Sequence, residues 1–171
     1  VANGTSVITG IVGTGATAGV FALKSVTVTD GGSLTITGTV NTDLINLGSS
    51  TGTGTNAITF KGATLRIADL KVGDDTAVSS NAITFDSTSN TINAVIALST
   101  ADTVKGDTNT LNFIGSATNA VTYASAIDAA DEITHIKVGS ATEAGKAVFS
   151  GAINSTNVIL NAGESTGENA L

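Results

Sequence analysis

The sequence predicts an all-β protein, and it favours a parallel β-solenoid over an antiparallel β-sandwich or jelly roll. Three observations carry that expectation. Short runs alternate apolar and polar side chains, several runs return in the same order, and none of the 171 residues is proline. Alternation gives each strand a dry face and a wet face. Ordered recurrence is the mark of a stacked array. A chain without proline can donate backbone hydrogen bonds at every position, as inner coils must.

The runs follow one another along the chain. Ser6-Val-Ile-Thr-Gly-Ile-Val12 comes first, then Val20-Phe-Ala-Leu23, Ser25-Val-Thr-Val-Thr29 and Ser33-Leu-Thr-Ile-Thr37. Gly38-Thr-Val-Asn-Thr-Asp-Leu-Ile-Asn-Leu-Gly48 leads into Asn56-Ala-Ile-Thr-Phe60 and Thr64-Leu-Arg-Ile-Ala68. Asn81-Ala-Ile-Thr-Phe85, Asn93-Ala-Val-Ile-Ala-Leu98 and Asn119-Ala-Val-Thr-Tyr123 continue the series. Glu132-Ile-Thr-His-Ile-Lys-Val138, Lys146-Ala-Val-Phe149 and Asn157-Val-Ile-Leu160 close it. Gly, Asn, Ser and Asp separate the runs and supply turn conformations. Helical periodicity is absent, with one short turn at most over 125–131.

Several runs are near copies. Asn56–Phe60 returns as Asn81–Phe85 and as Asn119–Tyr123, and Leu70-Lys-Val-Gly73 returns as Ile136-Lys-Val-Gly139. Asn93–Leu98 is echoed by Asn157–Leu160. The pieces suggest one all-β domain over 1–171 with an internal duplication, 44–98 against 110–160. A repeat of roughly 65 residues would hold about three coils of some 20 to 24 residues. In the sandwich alternative the segment 1–12 would be an exchanging strand that pairs with a neighbour's sheet edge.

Composition narrows the function. Charged residues make up 12% and aromatics 4%, so Val, Ile, Leu, Ala and five Phe must fill the core while Thr, Ser and Asn wet the surface. The net charge of −7 and seven scattered basic residues leave no stripe for nucleic acid. The longest apolar run, Ala94–Leu98, is far below the roughly 20 residues of a membrane-spanning helix, so membrane insertion of this segment is not expected. Without cysteine there is neither a disulfide framework nor a thiolate metal site. A start at Val1 fits a processed product or an excerpt, and the composition suggests export.

Catalytic motifs fare poorly. Gly48-Ser-Ser50-Thr-Gly52 and Gly163-Glu-Ser165-Thr-Gly167 match the Gly-x-Ser-x-Gly pattern, but neither precedes a helix, as a nucleophile elbow requires. Gly13-Thr-Gly15-Ala-Thr-Ala-Gly19 is followed by a strand where a phosphate-binding helix should begin. His135 is the sole histidine, and nothing organises Asp128 or Asp131 beside it into acid–base work. Tyr123 alone makes no carbohydrate platform. The chain is read as no enzyme, with no cofactor.

Calcium is the one ligand with candidates. Asp74, Asp75, Asp102 and Asp107 offer carboxylate oxygens in loops rich in further oxygen donors. The competing reading, solvated loop acids, is favoured, because neither an EF-hand nor a calcium-binding nonapeptide occurs. Asn3-Gly-Thr5 and Asn154-Ser-Thr156 match glycosylation sequons at a frequency chance explains.

With the Gly38–Gly48 stretch, the repeated Asn-Ala-Ile-Thr-Phe and the Thr/Asn/Gly coating, residues 33–167 resemble a bacterial autotransporter passenger. The style is that of large surface antigens that also form S-layer-like coats. The resemblance implies a β-helical stalk displayed outside the cell for adhesion or armour, and it carries no functional residue across. The expected role is a non-catalytic extracellular structural or adhesive module of a microbial surface. Its partners would be copies of itself, neighbouring surface proteins, or host or surface ligands. The alternative is a self-assembling subunit of an extracellular fibre or sheath.

Overall fold

A computed structural model describes residues 4–13, 23–48, 55–73, 78–100, 106–116, 118–128 and 133–160. Within them the chain makes thirteen strands and no helix. In order these are β1 (Thr5–Ile8), β2 (Leu23–Val28), β3 (Ser33–Ile36), β4 (Val40–Leu47), β5 (Thr55–Phe60), β6 (Thr64–Val72) and β7 (Ser80–Asp86). They continue with β8 (Ile92–Thr100), β9 (Thr108–Ile114), β10 (Val121–Tyr123), β11 (Ile133–Val138), β12 (Ala147–Phe149) and β13 (Asn157–Leu160).

Consecutive strands alternate between two sheets. The odd strands form one seven-stranded sheet, β1-β3-β5-β7-β9-β11-β13, and the even strands form a six-stranded one, β12-β10-β8-β6-β4-β2. Every strand pairing is parallel. That is a β-solenoid, and it sets aside the antiparallel sandwich. Residues 5–8, inside the segment expected to exchange strands, form the first rung and pair with β3 of their own chain.

The core follows from stacking equivalent positions. On the odd sheet one inward column runs Leu34, Ile58, Ile83, Leu111, Ile136, and the next runs Ile36, Phe60, Phe85, Phe113, Val138. All ten are sealed from solvent. The even sheet answers with Ile45 beside Leu70 and with Leu47 beside Val72. Phe85 stacks on Phe60 at 5.8 Å and on Phe113 at 5.0 Å between ring centroids. Tyr123, from the even sheet, meets Phe85 edge-on at 6.0 Å. It is fully buried because its hydroxyl donates to the carbonyl of Ile96 at 3.2 Å.

A second ladder is polar. Asn56, Asn81 and Asn109 stand one above another, all buried. The Asn56 amide donates to the Asn81 oxygen at 3.0 Å, and the Asn81 amide donates to the Asn109 oxygen at 2.9 Å. These side chains lie 25 and 28 residues apart, whereas Thr42 lies only 19 residues beyond its partner Leu23, so coil length scatters to both sides of the 20 to 24 expected. The motif copies are redistributed accordingly. Asn56–Phe60 and Asn81–Phe85 are neighbouring rungs, but the third is Asn109-Thr-Leu-Asn-Phe113, while Val121–Tyr123 lies in the opposite sheet. Leu70-Lys-Val72 and Ile136-Lys-Val138 likewise sit in opposite sheets.

One corner is packed backbone to backbone. A Cβ on Gly38 would overlap the Gly10 carbonyl, and a Cβ on Gly62 would overlap that of Gly38. Gly38→Ala is therefore expected to cost about 1–3 kcal/mol, because the neighbouring main chain must give way. Urea denaturation of the variant against the parent checks this.

Candidate functional site

The chemistry-bearing side chains whose partners are defined are strung between coils. At the turn after β5 and β7, Lys61 and Asp86 occupy equivalent places on adjoining rungs, directly after Phe60 and Phe85. Their Nζ and Oδ2 are 2.8 Å apart. Thr88 adds its hydroxyl at 2.6 Å and its N–H at 3.0 Å, both donated to Asp86 Oδ1. Burial pushes the Asp86 carboxyl up, but the hydrogen bonds from Lys61 and Thr88 outweigh it and hold the group below its ordinary value of 3.8.

The sign of the pH effect follows. A carboxylate with a depressed folded pKa contributes stability that is present above its unfolded value and is lost as pH falls through the folded one. Asp86→Asn is expected to lose about 1–2 kcal/mol at neutral pH. Its stability should also fall less steeply than the parent's below about pH 4. Thermal melts across that range test it.

Other carboxylates are spent the same way. Asp43 pairs with Lys24 at 2.7 Å, and Asp69 accepts the Ser99 hydroxyl at 2.5 Å. Asp107 Oδ1 accepts the Ser79 N–H at 2.6 Å, and its Oδ2 accepts the Ser79 hydroxyl at 3.1 Å. Among the four calcium candidates only Asp107 is described, and the structure uses it to tie two coils together. Asp74, Asp75 and Asp102 lie outside the described residues. Among the described residues no three His, Asp or Glu side chains gather as a metal site would require.

The remaining expectations are quickly placed. His135 lies half-buried on the outer face of β11, beside Thr110 and Asn157 of the flanking rungs, and its Nδ1 is buried without a hydrogen-bond partner. Gly48 donates its N–H to Val28 at 3.1 Å as part of a rung contact. The rest of its Gly-x-Ser-x-Gly motif, the whole second copy, and residues 14–19 of the glycine-rich loop lie outside the described residues, as do Asp131 and Glu132. No helix among the described residues is long and apolar enough to cross a membrane.

The outer face of the odd sheet is regular. Thr35, Thr59, Thr84 and Asn112 form one column that continues into Lys137, with Ser33, Ala57, Ala82 and Thr110 beside it in a column that continues into His135. What this arrangement can do is present a hydroxyl-rich stretch over Thr35, Thr59 and Thr84, with the charge of Lys137 farther along the same face. The Lys61–Asp86 tie was legible in principle, since opposite charges follow the two copies of Asn-Ala-Ile-Thr-Phe. No protein family, curated protein or solved structure matches this chain.

Proposed function

We propose that this chain is a non-catalytic structural or adhesive module of a microbial cell surface, displayed outside the cell. The observation that supports this most is where the ionisable groups go. Asp43, Asp69, Asp86 and Asp107 each bond a side chain on a neighbouring coil rather than converging on a common point. Groups placed so stiffen a stack, whereas catalysis needs a nucleophile, a base and an orienting group within reach of one atom. The hydroxyl-rich stretch of Thr35, Thr59 and Thr84 on the outer face supports a role in contact with polar surfaces. Calcium, if it acts here, would do so as a further tie between coils.

Protease treatment of intact cells of the source organism tests the reading. Peptides from the chain should be released, or antibody should reach it, without lysis. A chain that becomes accessible only after the cells are broken contradicts it.

A further inference from the structure

We infer that Asp30–Gly31 is a latent site of spontaneous backbone isomerisation, held closed by the side chain of Asn56. It is the one Asp-Gly pair in the 171 residues, and no other carboxylate in the chain is followed by glycine. Glycine has no side chain to hinder its amide nitrogen, so this dipeptide closes to a five-membered imide more readily than other Asp pairs. The step balances without a co-reactant other than water. The Gly31 nitrogen attacks Cγ of Asp30, one water leaves, and a second water reopens the ring. Opening at the Asp30 main-chain carbonyl routes the backbone through Cγ and leaves the α-carboxylate as the side group.

Before it can attack, the Gly31 nitrogen must lose its proton and swing towards Cγ. Two hydrogen bonds oppose that. Gly31 donates its N–H to Asn56 Oδ1 at 3.0 Å, and Asn56 is sealed from solvent in the ladder that runs on through Asn81 to Asn109. Gly32 donates its N–H to the Thr29 carbonyl at 2.9 Å and closes the turn. With φ of 53° at Asp30 and 77° at Gly31, the link from β2 to β3 has the two left-handed residues of a type I′ turn, for which Asp-Gly is a preferred pair. Asp30 is the one non-glycine residue with positive φ among the described residues. The turn thus needs the most reactive dipeptide of the chain, and the neighbouring coil occupies that dipeptide's nucleophile. Isomerisation would also unseat the ladder, because the added methylene carries Gly31 away from Asn56. The inference goes beyond the surface-module reading and does not depend on it.

The full chain tests it, incubated in warm, mildly alkaline buffer, with isoaspartate located by peptide mapping and enzymatic methylation. Each of the two bonds slows the step by roughly a factor of ten, so the folded parent should isomerise at Asp30 at least about a hundredfold more slowly than the chain unfolded in guanidinium. Asn56→Ala should speed the folded protein at least about tenfold. Phe85→Ala is destabilising but remote from the turn, and it should leave the rate near the parent's. An Asn56→Ala rate equal to the parent's, or matched by Phe85→Ala, overturns the inference. So does a folded parent that isomerises as fast as the unfolded chain. Should Asn56→Ala not fold, amide hydrogen exchange of the parent decides, because exchange and cyclisation need the same proton removed. Gly31 should exchange at least about tenfold more slowly than an unstructured amide, and exchange at the unstructured rate overturns the inference.

Discussion

Phe85→Ala is expected to destabilise the protein by about 3–5 kcal/mol, the largest effect of any single substitution considered. Phe85 is fully buried in the middle of the aromatic stack. Truncation removes the transfer energy of the ring and leaves a void that the neighbours cannot easily fill. Phe60 and Phe113 are each held by their own rung's backbone pairing, so closing the gap would mean breaking ladder hydrogen bonds. The edge contact with Tyr123 goes as well. Phe85→Leu keeps most of the volume and should cost well under half as much. Thr84→Ala, one residue away on the outer face, should stay within about 0.5 kcal/mol. Urea denaturation of the three variants measures the contrast. A Phe85→Ala loss no larger than that of Thr84→Ala would mean that the column is not packed as described.

Asn81→Ala should cost about 2–5 kcal/mol, although alanine is smaller and more apolar than what it replaces. The reason is the asymmetry of buried hydrogen bonds. The Asn81 amide donates to Asn109 at 2.9 Å and to the Ser79 hydroxyl at 2.9 Å, while its oxygen accepts from Asn56 at 3.0 Å. Truncation deprives the Asn56 amide of its acceptor and the Asn109 oxygen of this donor in a place where water does not reach. Asn81→Asp should be worse than isosteric intuition suggests. A carboxylate there still accepts from Asn56, but it has no hydrogen to donate to the Asn109 oxygen unless it is protonated to the carboxylic acid. Its loss should therefore shrink as pH falls towards 4. Equilibrium unfolding at pH 7 and near pH 4 separates the two variants.

Much of this architecture was readable from residues because one rule, apolar at every second position, governs both sheets. Ser33–Ile36 and Asn81–Phe85 show it, and the structure places both as strands with those apolar side chains inward. The same uniformity hid the register. Asn119–Tyr123 satisfies the pattern as well as Asn109–Phe113 does, and only the path of the chain assigns one to each sheet. The Asn109 rung was the harder to see because Leu111 and Asn112 replace the Ile and Thr of the other copies. A single coil length was not legible for a related reason: turns of varying length cost little in an array whose strands alone must match. The polar ties were partly legible. Lys61 and Asp86 hold equivalent places after a repeated motif, whereas Asp69 with Ser99 and Asp107 with Ser79 depend on turn geometry that composition does not encode.

Everything rests on backbone paired with backbone one coil away, always in the same direction. Nuclear Overhauser contacts on a methyl-labelled sample test that pairing directly. Ile83 should show cross-peaks to both Ile58 and Leu111, each on a strand about 4.8 Å distant, and β7 should show none of the close Hα–Hα contacts of an antiparallel partner. Strong Hα–Hα contacts between consecutive strands such as β7 and β8, with Ile58 and Leu111 silent, would contradict it.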